Sequence, residues 1–305
     1  MKTAPGEAFF LTGPTASGKS AVAHRLATEA GATVVSADSM NVYRGMDIGT
    51  AKPSPAERAQ VPYAGIDVVE PTEKFSVAAW LEAVRPAFGG ERPVIVAGGT
   101  GLYLKCLLEG LDEVPPEDPE LRAELAALPL DELRRRAEAE APALFRTLPA
   151  PDRDNPRRLV RLIEKARAGA PPPRAWKRAQ RPVLAGLLLP RELLRKRIAE
   201  RVDRMYENGL LDEARALFER PLSPTARQAI GYAEAFAVLR GECSEREARE
   251  RTVIRTRQLA KRQMTWMRNQ LRVEWVNVEE GMAVEEIARA VRAVWERRGP
   301  ARVAI

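Results

Sequence analysis

Along the first hundred residues, short unbroken apolar runs alternate with stretches whose apolar positions recur every three or four residues. "EAFFLTG" (7–13) is apolar up to its closing glycine, which predicts a buried parallel strand. "KSAVAHRLATEAG" (19–31) has helical spacing and stops at Gly31. "ATVVSADS" (32–39) and "RPVIVAGGTG" (92–101) are two further β-branched runs, each closed by small or polar residues. Strands alternating with helices predict an α/β fold with a doubly wound parallel sheet, and ligands of such sheets bind beyond the carboxyl ends of the strands. Gly13–Ser20, Asp38–Ser39 and Gly98–Gly101 should therefore share one rim.

The pattern changes after "LLEGLDEVPPEDPE" (107–120). From Leu121 to Ala168 the chain is Ala, Leu, Glu and Arg at helical spacing, broken by the proline-rich turn "RTLPAPDRDNPRR" (146–158). "AGAPPPRAW" (168–176) predicts a stiff polyproline loop. "RPVLAGLLLP" (181–190) reads as a return to the sheet. The expected organisation is a P-loop sheet core with C-terminal helices, 1–112 and 183–305, interrupted by a helical insertion domain at 113–182. Residues 191–272 are mostly helical in pattern, and "RVEWVNV" (272–278) is the predicted last strand.

Composition narrows the class. No apolar run approaches the roughly 18 residues that span a bilayer, and the start of the chain does not read as a signal peptide. Two cysteines and a single histidine cannot build a disulfide framework or a zinc site, which suits a reducing cytoplasm. Of the net charge of +7, residues 1–112 carry 10 basic and 12 acidic groups, so the remaining 39 and 30 leave +9 on residues 113–305. Between Arg251 and Arg272 there are seven basic residues and no acidic one. That asymmetry points to a polyanionic partner much larger than a nucleotide, with solvated helix faces as the plainer alternative.

"GPTASGKS" (13–20) matches the phosphate-cradling loop G-x-x-x-x-G-K-[ST] in full, after a strand and before a helix. Its backbone amides and the helix N-terminus face an anion, Lys19 adds a point charge, and Ser20 can ligate Mg²⁺. Nucleotide hydrolases commonly place a metal-holding acid at the end of a later strand. Here "VIVAGGTG" ends in glycines and Thr100, and the carboxylate sits at Asp38 instead. One rim carboxylate beside a phosphate cradle suits general-base work, with a turn or capping residue as the alternative.

Six segments then occur in order: "GPTASGKS", "SADSMNVYRGMDIGTAKP", "VAGGTGLYLKCLLEGL", "RVDRMYENGLLDEARAL", "AIGYAEAF" and "RQLAKRQMTW". Together they resemble the tRNA dimethylallyltransferases over nearly the whole chain. The resemblance implies transfer of a dimethylallyl group from its diphosphate to N6 of the adenosine just 3′ of the anticodon, in tRNAs reading codons that begin with U. It assigns Gly13, Pro14, Thr15, Ala16, Ser17, Gly18, Lys19 and Ser20 to the diphosphate, with Mg²⁺ on Ser20 and Arg201 as a further contact. Asp38 becomes the base at the target amine, and Thr100 the residue at the entrance of the reaction channel. Ser39, Met40 and Asn41 follow at the adenine edge. Arg122, Arg157, Arg158, Leu159, Val160 and Arg161 fall where the insertion domain grips the anticodon stem-loop. Gln228, Gly231 and Tyr232 match another tRNA segment, and Arg257, Gln258, Lys261 and Arg262 share a basic helix face. Ala233 stands where many relatives carry arginine, and Met40 and Asn41 also depart from the common pattern. A cytoplasmic monomer without a membrane anchor is the expectation. The rivals are a P-loop small-molecule or nucleotide kinase, which leaves the basic half unexplained, a non-catalytic RNA-binding module, and a prenyltransferase acting on free adenine nucleotides.

Overall fold

The computed structural model describes residues 1–111, 117–170 and 181–305. Two compact units divide it, Met1–Gly110 with Lys177–Ile305, and Leu111–Trp176. The expected polyproline loop at 168–176 lies mostly outside the described residues, as do stretches at both borders of the expected insertion.

The first unit is built on strands β1 (Glu7–Thr12), β2 (Thr33–Ser36), β3 (Tyr63–Ala64), β4 (Val94–Gly98), β5 (Val183–Leu188), β6 (Arg272–Asn277) and β7 (Ala301–Arg302). The order is β3-β2-β4-β1-β5-β6, all parallel. β1 is central and buried from Ala8 onward, which explains its lack of polar alternation. The sheet does not end at 272–278 as the pattern predicts. β7 returns antiparallel to Glu7 and Ala8, filling the edge that β5 leaves open beside the start of β1. Two-residue strands such as β3 and β7 carry no hydrophobic period, so nothing in the sequence marks them.

Fourteen α-helices accompany these strands among the described residues. The early ones are α1 (Lys19–Ala30), α2 (Pro55–Gln60), α3 (Val77–Val84) and α4 (Gly101–Glu109). The second unit holds α5 (Pro119–Ala126), α6 (Leu130–Glu140), α7 (Pro142–Thr147) and α8 (Pro156–Arg167). The chain then continues through α9 (Arg191–Glu207), α10 (Leu210–Phe218), α11 (Pro224–Arg227), α12 (Tyr232–Leu239), α13 (Glu245–Gln270) and α14 (Val284–Arg298). α1 buries Val22, Ala23, Leu26 and Ala27 against the sheet and against Ile287, Val291 and Trp295 of α14. On α3, Trp80 stacks on Tyr103 of α4 at 4.4 Å and donates to the Ser36 carbonyl at the end of β2. α13 begins with a reciprocal Ser244–Glu247 capping box. No helix among the described residues is long and apolar enough to cross a membrane.

The second unit has its own core, with Leu125 of α5, Leu133 and Ala137 of α6, and Leu159 and Ile163 of α8 all fully buried. Its one buried carboxylate among the described residues, Glu164, accepts from Arg122 Nε at 2.6 Å and from Arg161 at 2.7 Å. Burial alone would raise the Glu164 pKa, but the two guanidiniums and the Asp118 amide reverse this and hold it at about 2.

Candidate active site

β1, β2 and β4 deliver three short segments to the carboxyl rim of the sheet, and the chain closes them on one another. At the end of β1 the loop turns through Ala16 at φ 63° and Gly18 at φ 90°. The left-handed conformation costs alanine roughly 1–2 kcal/mol, and Gly18 caps α1 with no side-chain bond. The first amides of α1 therefore keep no capping partner and remain available to an anion. Lys19 is buried, with Nζ 3.3 Å from the Pro14 carbonyl. Ser17 Oγ is buried without a partner among the described residues. Ser20 is exposed at the second position of α1.

Beyond β2, Asp38 is half-buried, and its Oδ1 accepts the Met40 amide at 2.9 Å, the turn expected of a short acidic side chain. The Ser39 amide donates to Thr100 Oγ1 at 3.1 Å, and the Thr100 amide donates to the Ala37 carbonyl. These two bonds lock the Asp38 segment to the end of β4. Asn41 is buried, with Nδ2 on Ser36 Oγ and Oδ1 unpartnered among the described residues. Buried side-chain atoms without partners are rare in folded proteins, and two of them occur here.

Arg201 on α9 reaches the Thr50 carbonyl at 3.4 Å. Burial pulls the Lys19 ammonium down to about 8, opposed by the Asp38 carboxylate and aided by Arg201. Burial lowers the Arg201 pKa as well, and Asp38 again opposes it. Burial thus weakens the charge of both cations while the Asp38 carboxylate favours it, a balance that a bound anion would tip further toward the charged forms. No group of three or more His, Cys, Asp or Glu that could hold a metal occurs among the described residues. Mg²⁺ commonly binds through few protein groups plus substrate phosphates, and Ser20 beside a diphosphate fits that pattern.

Of the tRNA-contacting residues expected from the sequence, some stand elsewhere than on a surface. Leu159 has no exposure because it fills the core of the second unit. Tyr232 is likewise fully buried, its hydroxyl donating to Glu213. Arg122 and Arg161 hold Glu164, and Arg158 pairs with Asp152. Val160 is half-buried. Arg157 is exposed and has no carboxylate partner among the described residues, as is the case for Arg257, Lys261 and Arg262 on α13. Gln228 is exposed, its carbonyl accepting from Arg255, and the Gly231 amide donates to Glu234.

Three residues escaped the sequence reading. Gln263 on α13 accepts the Thr15 amide at 2.8 Å and so braces the phosphate loop. It lies between Ala260 and Met267, on the buried side of α13, and a polar residue on that apolar face was the available clue. Arg197 on α9 reaches the Ser17 carbonyl at 3.4 Å. Glu213 on α10 accepts the amides of Asp47, Ile48 and Gly49 at 2.9–3.3 Å. Close packing also explains distant motifs: a Cβ at Gly101 would overlap the Trp266 ring, and one at Gly99 would crowd Gln263. "GGTG" and "RQMTW" are two halves of one contact.

A model described as IPP transferase matches residues 41–270, and one described as isopentenyl transferase matches 6–62. A tRNA dimethylallyltransferase of Thermus thermophilus is 45% identical over 273 residues, 85% of this chain and 89% of that protein. One from Deinococcus radiodurans is 40% identical over 95% of this chain and 96% of its own. Among solved structures, a full-length tRNA isopentenylpyrophosphate transferase of Bacillus halodurans superposes with a TM-score of 0.68 at 33% identity, covering 96% of this chain and 98% of that one. A eukaryotic dimethylallyltransferase shares the fold, with a TM-score of 0.73 at 21% identity over 96% of this chain and 76% of that one. With a matching family model spanning most of its length and relatives this similar from end to end, the chain belongs to the IPP transferase family.

Proposed function

We propose that this chain transfers a dimethylallyl group from dimethylallyl diphosphate to N6 of the adenosine 3′ of the anticodon in tRNA. The observation that carries the reading is the phosphate loop with its buried Lys19 on the same rim as the Asp38 turn, which Thr100 ties to the end of β4. A phosphate cradle holds the leaving group there while a carboxylate awaits the incoming nucleophile.

In the reaction the bond between the allylic carbon and the diphosphate oxygen breaks, and a bond from N6 to that carbon forms. The N6 proton passes to Asp38. Lys19, Arg201 and the loop amides stabilise the negative charge that grows on the departing diphosphate. Mg²⁺ held by Ser20 and the diphosphate oxygens would neutralise part of that charge when bound. Thr100, whose hydroxyl accepts from Ser39, keeps a proton to donate to either substrate. Asn41 Oδ1 and the segment 39–41 are assigned to the flipped base, which must leave its stack to expose the amine. The second unit, with Arg157, and the basic face of α13, with Arg257 and Lys261, are assigned to the anticodon stem-loop.

The test is to incubate the protein with dimethylallyl diphosphate, Mg²⁺ and unmodified tRNA bearing adenosine 3′ of the anticodon, then weigh the nucleosides. A gain of one dimethylallyl group on adenosine is expected. No mass gain, combined with phosphoryl transfer from ATP to a small acceptor, would instead support the kinase reading.

A further inference from the structure

Between the Asp38 turn and the carbonyl that Arg201 reaches, the chain runs through residues 41–52, and Lys52 closes that stretch on itself. The Lys52 side chain has no exposure to solvent. Its Nζ donates to the Tyr43 carbonyl, to Asp47 Oδ1 at 2.7 Å and to Asp67 Oδ1 at 2.7 Å. An ammonium has three donors, and all three are used. Asp67 carries the link back to the Asp38 end. Its amide donates to the Asn41 carbonyl at 3.1 Å, and the Val68 and Val69 amides donate to the Val42 carbonyl at 2.8 and 3.0 Å. The Arg44 amide returns a bond to the Val69 carbonyl at 2.9 Å. At the other end, the Ala51 amide donates to the Ile48 carbonyl at 3.0 Å, one residue beyond the Thr50 carbonyl that accepts Arg201. Burial alone would raise the Asp67 carboxyl, but the bonds from Lys52 and Arg58 bring it below its ordinary value.

We propose that Lys52 is a positioning residue for the transfer: it fixes the separation between the Asp38–Asn41 segment and the Thr50 carbonyl that Arg201 takes, and so keeps the two substrates in register. This deepens the reaction proposed above and rests on it. A continuous set of bonds runs from the Asn41 carbonyl through Asp67 and Lys52 to Asp47, in the turn that leads to Thr50. Glu213 holds the amides of residues 47–49, at the Arg201 end. Lys52 is bonded at both ends. An ion cluster of this kind is a poor source of stability, because desolvation of the charges offsets much of their attraction. Its geometric effect is larger, since a misplacement of about 1 Å at the reacting atoms costs roughly 10²-fold in rate. The amine must approach the allylic carbon while the diphosphate stays in its cradle, so the spacing between the two holding groups matters more than the strength of either.

The experiment is single-turnover prenylation of unmodified tRNA with both substrates saturating, reading rate and amplitude separately, in Lys52→Met combined with Asp67→Asn. The second change removes the carboxylate that Lys52→Met would leave unpaired, and asparagine suits the left-handed φ of 52° at that position. The rate should fall about 10²-fold at full amplitude, with the affinities for tRNA and for dimethylallyl diphosphate each within a few-fold of wild type. A reduced amplitude at the wild-type rate would mean that Lys52 only keeps the chain folded, and overturns the proposal. So does a raised KM for dimethylallyl diphosphate with the rate retained, which would confine Lys52 to the Arg201 end. Asp47→Ala, a change at a half-exposed side chain, removes one anchor of Lys52 and should slow the step several-fold without altering stability in urea. A wild-type rate in that variant also overturns the proposal. Hydrogen exchange, which needs no substrate, should quicken in the double variant at both the Arg44 and the Ala51 amides, and a change at one end alone counts against the coupling. Absence of prenylation by the wild-type protein would instead sink the transferase reading, and exchange would still report on Lys52.

Discussion

Asp38 and Lys19 divide the chemistry between them, and their environments say how. The exocyclic amine of adenine is a weak nucleophile because its lone pair is delocalised into the ring. It must lose a proton as the allylic carbon is attacked, and Asp38 is the carboxylate whose charge both Lys19 and Arg201 feel. A positioned general base contributes roughly 10²–10⁴ in rate. Asp38→Ala should lose about that factor in single-turnover prenylation with both substrates saturating, while tRNA affinity stays within a few-fold. A wild-type rate would return Asp38 to its other visible role, the turn that accepts the Met40 amide. Lys19→Ala should abolish transfer and leave tRNA filter binding nearly unchanged, since the cradle faces the diphosphate. A large loss of tRNA affinity in that variant would contradict the division.

Elements hold these residues through contacts that no short motif announces. Glu213 of α10 ties down the turn 47–49, the buried Tyr232 of α12 adds its hydroxyl, and the next residue, Thr50, accepts Arg201. Glu213→Gln keeps the size but replaces one acceptor oxygen with a donor, so at least one of those amides loses its partner. The expected result is a rise of several-fold in the KM for dimethylallyl diphosphate with tRNA affinity unchanged. Equal losses for both substrates would mean general unfolding rather than a loosened Arg201. In the helical unit the pKa of Glu164 is depressed from 4.5 to about 2. Its stabilisation is therefore complete above pH 4.5 and disappears as pH falls through about 2, a linkage on the order of 3 kcal/mol. Glu164→Gln should be less stable than wild type at pH 7 in urea denaturation, and the gap should close as pH falls from 4.5 toward 2. A gap independent of pH would show that size and packing, not charge, set the effect.

At the scale of the whole molecule the charge is lopsided, −2 on residues 1–112 and +9 on the remainder. Arg157, exposed and without a carboxylate partner among the described residues, is the residue of the second unit best suited to test it. Arg157→Glu should shift the salt slope of tRNA binding by about one unit. An unchanged slope would assign that arginine to solvent. The chain by itself determined the parallel α/β core, the phosphate loop, the rim carboxylate at Asp38 and the basic half, because each depends on local spacing or on simple counting, whereas the role of Thr100 came from the resemblance of its segment to a family. Apolar runs ending in glycine and a complete loop motif are readable without knowing what lies across the sheet. Only the tertiary structure decided which of the arginines are spent internally. Arg122 and Arg161 look in sequence like Arg157, yet a buried carboxylate three residues beyond Arg161 claims both. The same holds for Leu159 and Tyr232, which share motifs with surface residues but face a core, and for Gln263, whose partner amide lies 248 positions away. Burial and long-range pairing are properties of the packed chain, and a pattern along one dimension carries neither.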